Sequence, residues 1–199
     1  ASYQKWTEAI RQYLDGNWGT PQPVYPSNAA DTQQNGGLDG SHGMRATYFS
    51  LLPIESDDIL FFGDEEVKAG EWNELCGNQN IKNRGSGWSY GGLSLENTKK
   101  MVEATFADTS VDKIEPKAVL VYADTSDVTG NDDLETVKLN YLRVVEAIMA
   151  EAPSAHIYVI GLHPTNNATT NTTRIAPFNE FLSKLGPDQV SYIDCYTPL

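Results

Sequence analysis

Residues 58–66 read Asp-Ile-Leu-Phe-Phe-Gly-Asp-Glu-Glu, and this stretch constrains the fold more than any other. Four consecutive large apolar side chains demand burial on both faces, which is the situation of a strand inside a parallel sheet. The Gly-Asp pair ends the strand abruptly and delivers carboxylates to its C-terminal end. Ligands of open α/β sheets bind at that edge, so Asp64, Glu65 and Glu66 mark where chemistry would begin.

The chain beyond this point alternates strand and helix. Trp72 and Leu75 mark a short helix, residues 81–83 a short strand, and residues 93–106 a longer helix. Residues 118–123 (A-V-L-V-Y-A) form a second fully buried strand. Leu134, Val137, Tyr141, Val144, Val145 and Ile148 then line one helical face, with Asp132 and Glu135 spaced like a capping box. Residues 156–162 (H-I-Y-V-I-G-L) form another apolar strand. Pro177 suits the first turn of a helix carrying Phe178, Phe181, Leu182 and Leu185 that stops at Gly186, and residues 190–195 form the last strand. Parallel strands joined by helices of this length cross over right-handed, so the expected fold is a three-layer α/β/α sandwich of about five parallel strands.

Ahead of this domain the character changes. Tyr3, Trp6, Ile10, Tyr13 and Leu14 recur at three- and four-residue steps on one face of a helix that ends near Asp15-Gly16. Residues 17–43 carry Pro21, Pro23, Pro26, Asn35-Gly36-Gly37 and Asp39-Gly40 and form a long arm, and residues 44–52 a short helix closed by Pro53. The division expected is an N-terminal helix and arm over 1–45 and an α/β domain over 46–199. A net charge of -13 argues against nucleic acid or an anionic membrane as partner, and no apolar run has the length of a membrane-spanning helix. A start at Ala1 fits either a processed secreted protein or a trimmed chain, and the sequons at Asn167 and Asn171 weigh lightly towards a secreted or cell-surface protein with glycosylation at those asparagines.

The order of these elements, with Leu52-Pro53-Ile54, residues 59–64, Gly70-Glu71-Trp72, Asn83-Arg84-Gly85-Ser86-Gly87, Asp127 and Pro164, resembles the SGNH or GDSL family of esterases, particularly its carbohydrate O-acetylesterase and acetylhydrolase-like members. The likeness runs from about residue 46 to residue 199. It implies the flavodoxin-like SGNH fold and a site at the C-terminal ends of strands one and three, which are neighbours in that family.

The resemblance also identifies departures. The family's nucleophilic serine follows Gly-Asp, and here that position holds Glu65. A carboxylate cannot act as an activated hydroxyl, and its charge opposes an oxyanion forming beside it. Gly87 matches the glycine whose N–H faces the oxyanion. The family's Gly-x-Asn-Asp corresponds to Asp124-Thr125-Ser126-Asp127, so Ser126 stands for the asparagine donor and Asp124 for the glycine. The family's Asp-x-x-His block lies beyond the last strand, and no such block stands between Cys195 and Leu199.

Asp64, Glu65, Glu66, Asp124 and Asp127 crowd one edge in this reading. Clustered hard oxygens suit a divalent cation such as calcium or magnesium, with Asp64, Glu65, Asp124 and Asp127 as ligands. A carboxylate pair with split pKa values could instead do glycosidase-like acid-base work. The favoured reading is plainer: Asp64 and Asp127 cap local turns and the glutamates face water. Trp72 is expected in the core. Trp88 and Tyr90, which follow the oxyanion glycine, are candidates to stack on sugar rings, and His163 could reach the same edge. Cys76 and Cys195 are expected at opposite ends of the sheet and unpaired with each other.

The expected function is an SGNH-like domain that has lost esterase activity and serves as an extracellular glycan-binding or structural module. One alternative is a carbohydrate O-acetylesterase, acting on an acylated sugar, completed by sequence or a partner not present here. The other is a subunit of a filament or larger assembly joined through residues 1–43.

Overall fold

The computed structural model describes residues 40–86, 94–107, 113–123, 125–186 and 188–197. Helix α1 (Gly40–Leu51) leads into β1 (Ile59–Gly63), followed by α2 (Glu65–Ala69), α3 (Trp72–Leu75) and β2 (Ile81–Gly85). Then come α4 (Ser94–Thr105), β3 (Ala118–Tyr122), α5 (Thr125–Thr129), α6 (Leu134–Glu151) and β4 (His156–Ile160). The last elements are α7 (Ala168–Thr170), a π-helical turn (Asn171–Ile175), α8 (Ala176–Leu182) and β5 (Val190–Ile193).

The five strands form one parallel sheet in the order β2-β1-β3-β4-β5. β1 pairs with β2 on one side, Gly63 opposite Gly85, and with β3 on the other, Phe62 opposite Val121. The chain therefore leaves β1 towards one edge and returns to build towards the other, which opens a crevice above β1 and β3.

Strand alternation sorts the side chains into two unequal faces. Leu60, Phe62, Val119, Val121, Ile157 and Val159 are fully buried against α1, α4, α6 and α8, which supply Phe49, Met101, Tyr141, Ile148 and Phe178. Each of these large side chains contributes about 1.5–3 kcal/mol on leaving water. Tyr141 carries its hydroxyl into this core, and it donates to the Val121 carbonyl at 2.9 Å, so burial leaves no polar atom stranded there. All six apolar positions read on the helix beginning at Leu134 face this layer.

The opposite face carries a thinner layer. Phe61 packs against Trp72, ring centroids 4.9 Å apart, and Asn83 donates to the carbonyls of Val67, Lys68 and Gly70 at 2.7, 3.1 and 2.9 Å, so α2 and α3 lie over β1 and β2. Among the described residues none of the helices lies over β3, β4 and β5 on this side, where Leu120, Tyr122, Tyr158 and Ile160 stay half-buried and Ile193 is exposed.

Several local expectations are corrected. Helix α2 was not read from sequence, because five residues are too few to establish a helical period. The cap of α6 is Asp133, not Asp132: its carboxylate accepts from the Thr136 N–H at 3.2 Å, while Asp132 offers its carbonyl to Arg174. The stretch that carries the two sequons is helical from Ala168 onward. Its π turn closes from the Ala176 N–H to the Asn171 carbonyl, immediately before Pro177, which has no N–H to continue a regular ladder. The helix expected over residues 44–52 begins at Gly40, so His42 lies on a helix and not in an arm, while the helix read over residues 3–14 and the arm up to residue 39 lie outside the described residues.

Candidate functional site

The site edge is built first by close packing. A Cβ added at Gly85 would lie 2.2 Å from the Lys68 nitrogen, and one at Gly63 would lie 2.4 Å from Val67 Cγ2. Only glycine lets α2 sit this low on the ends of β1 and β2. Asn83 holds that contact from below. Besides its three donations to α2, its side-chain oxygen accepts from the Gly85 N–H at 2.9 Å.

Asp64 leaves β1 in extended conformation and caps α2, its Oδ1 accepting from the Glu66 and Val67 N–H groups at 2.9 and 3.3 Å. Glu65 is the first residue of α2, exposed, with Lys68 Nζ 3.1 Å from its Oε2. Arg45 approaches from α1. Its Nε and Nη2 donate to the Gly85 carbonyl at 3.0 and 2.7 Å, and burial lowers its pKa while the Glu65 charge opposes that shift. Ser86 ties the two strand ends together, its N–H and Oγ–H both donating to the Gly63 carbonyl at 2.9 and 3.3 Å. Gly87, the expected oxyanion residue, lies outside the described residues, as do Trp88, Tyr90 and Asp124.

At the end of β3, Tyr122 is half-buried with its hydroxyl 3.2 Å from Thr125 Oγ1. Burial pushes its pKa well above the usual tyrosine range, and the charges of Glu66 and Asp64 push the same way. Ser126 is exposed on α5. Asp127 is buried and accepts from the Leu95 N–H at 3.0 Å, which stitches the turn after β3 to the first turn of α4. Asp64 thus caps its local turn as expected, whereas Asp127 accepts from the distant Leu95 N–H at the start of α4. Among the described residues, no group of three or more His, Cys, Asp or Glu is disposed to hold a metal ion.

His163 follows β4 and borders a trough of about 350 Å³ on the thin-layered face, together with Phe61, Glu66, Trp72, Tyr122 and Cys195. Its Nδ1 is buried without a hydrogen-bond partner. Cys76 borders the same trough, and both cysteines are free thiols. Asn167 is exposed and caps α7, accepting from the Thr170 N–H at 3.1 Å. Asn171 is half-buried and clasps Thr165, accepting from its N–H and donating to its carbonyl, both at 2.8 Å.

Sequence reasoning singled out neither Arg45 nor Tyr122. Arg45 fell at the boundary drawn between arm and domain, yet it is the cation in an otherwise apolar stretch of α1, which was a usable signal. Tyr122 looked like one more apolar strand residue.

No protein-family model matches this sequence, and no curated protein does. Solved structures do resemble it in fold. A protein described as a platelet activating factor from Streptococcus pneumonia superposes with a TM-score of 0.60 at 17% identity, covering 87% of this chain and 83% of its own. The periplasmic domain of a lipopolysaccharide acetyltransferase from Salmonella ser. Paratyphi A superposes with a TM-score of 0.51 at 13% identity, covering 100% of this chain and 84% of its own. These neighbours agree with an SGNH-like α/β/α sandwich.

Proposed function

We propose that this chain is an SGNH-like domain that does not hydrolyse esters through a serine nucleophile and acts as an extracellular glycan-binding or structural module. The observation that carries this reading is Glu65 at the first position of α2, directly after the cap Asp64. That position follows the strand at the crevice between β1 and β3, where this fold places its reacting group. An anion held there by Lys68 repels both a substrate carboxylate and a developing oxyanion.

What remains at the edge suits binding better than turnover. Asp64 and Asp127 accept from backbone N–H groups that anchor the turns after β1 and β3. The adjoining trough is walled by Phe61, Trp72 and Tyr122, aromatic surfaces of the kind that sugar rings stack on. Trp88 and Tyr90 extend the same logic from sequence. An oligosaccharide array probed with the whole protein, O-acetylated and unmodified glycans side by side, tests the binding half. Retention of a defined glycan class, weakened by Trp88→Ala or Tyr90→Ala, is expected. Binding to no glycan, together with turnover of an acetylated one, would overturn the reading.

A further inference from the structure

Three aromatic rings border the trough on the thin-layered face. Phe61, 7% exposed, forms its floor, and Trp72 stands against it with ring centroids 4.9 Å apart and planes tilted by 54°. Tyr122, half-buried at the end of β3, supplies the third ring. The polar atoms of these walls are already engaged: Trp72 Nε1 donates to the Val67 carbonyl at 2.7 Å, and the Tyr122 hydroxyl lies 3.2 Å from Thr125 Oγ1. What the rings have left to offer a ligand is their π surface.

The charge around these rings has one sign. Among the described residues Glu66 is the one carboxylate that borders the trough, and no Lys or Arg borders it. The one lysine of α2, Lys68, is paired with Glu65 instead. Glu66 is exposed, and its charge acts on the Tyr122 hydroxyl, which places the carboxylate at the aromatic wall. The net charge of -13 raises the local concentration of cations further.

We propose that this trough binds a quaternary ammonium cation, held by the rings of Phe61, Trp72 and Tyr122 and by the Glu66 carboxylate. A cation over aromatic faces is attracted by their quadrupoles, most strongly where water is excluded. A primary ammonium fits less well, because its three N–H donors would meet few free acceptors here and some would be stranded. A fully alkylated nitrogen has no N–H to satisfy, and its alkyl groups bury apolar surface against Phe61, Trp72 and Ile160. The volume of about 350 Å³ lies within the range of small-ligand sites. This site goes beyond the glycan reading and does not rest on it, since such a cation need carry no sugar.

The test is a ligand-observed NMR titration of the whole protein with choline and, in parallel, with its uncharged carbon analogue, in which a tert-butyl group replaces the trimethylammonium. Choline should bind about tenfold more tightly than the analogue. Glu66→Gln keeps the shape of an exposed side chain and removes its charge. It should weaken choline about tenfold and leave the analogue unchanged. Trp72→Leu, with its folding checked by urea unfolding, should weaken both probes. Equal affinity for the two probes would overturn the proposal and leave a merely apolar trough. Choline binding unchanged in Glu66→Gln would place the cation elsewhere on this acidic chain, and no choline binding at all would overturn the proposal outright. None of these outcomes bears on the oligosaccharide array, because choline carries no sugar ring.

Discussion

Lys68 Nζ lies 3.1 Å from Glu65 Oε2, one turn along α2, so the carboxylate at the head of the crevice is drawn along the outside of its helix. Glu65 is exposed and Lys68 only partly buried, and such a surface pair contributes little to stability, about 0–1 kcal/mol. Its importance is one of charge placement: under the proposed reading, the position of the reacting group is occupied by an anion. Glu65→Ser removes that charge but adds only an unactivated hydroxyl. The expected outcome is no aryl acetate hydrolysis above the parent protein, measured by product absorbance at equal concentration. A rise of about a hundredfold would mean that a general base stands ready at the edge.

Asn83 makes five side-chain contacts at the base of this edge, three given and two accepted, the second accepted one from Arg45 at 3.4 Å. Asn83→Ala strands several of those groups and should destabilise the domain by about 2–3 kcal/mol in urea unfolding. Asn83→Asp keeps both acceptors and loses all three donations, so it should fare no better.

Gly85→Ala should be costlier still. The added methyl meets the backbone of Lys68 and Val67 at 2.2 to 2.8 Å, and backbone cannot rotate aside. A loss of about 3 kcal/mol or more is expected from the thermal midpoint. A neutral result would show that α2 rides higher on the strands than described.

The fold was legible in the sequence because its buried strands are short uninterrupted apolar runs, and the five-strand α/β/α sandwich follows from their spacing. The neighbouring of β1 and β3 came from a family resemblance and is found in the sheet. What the sequence hid lies in short or one-sided elements. α2 is too brief to show a period, and the choice between Asp132 and Asp133 as cap turns on one residue of backbone conformation. Asn171 looked like any loop asparagine because its clasp on Thr165 is a tertiary fact. The thin layer over β3 to β5 was also invisible, since Tyr158 and Ile160 read as core by type.

The two sequons should behave differently if the chain passes through a glycosylating pathway. Asn167 is exposed, whereas the Asn171 amide nitrogen is already given to the Thr165 carbonyl at 2.8 Å. Glycan is expected on Asn167 and absent from Asn171 by glycopeptide mass. Full occupancy of Asn171 would mean that modification precedes folding of the 165–171 turn.

The two thiols should also differ in rate. Burial pushes the Cys195 thiol up, and the Asp194 charge beside it pushes the same way, so less of it is thiolate at any given pH. Alkylation of Cys195 should lag that of the exposed Cys76 near pH 8 and close the gap as pH rises, followed by peptide mass over time. Equal rates at the lower pH would contradict the half-buried placement of Cys195 in the trough wall beside Asp194.

The most direct measurement is reaction of the whole protein with a fluorophosphonate probe, read by intact mass and peptide mapping. Such probes require an activated serine, and the proposed reading puts Glu65 where that serine would stand. The account predicts an unmodified mass after prolonged exposure. Stoichiometric labelling of a serine at the crevice, Ser86 or Ser126, would contradict it and make the chain an esterase with a relocated nucleophile.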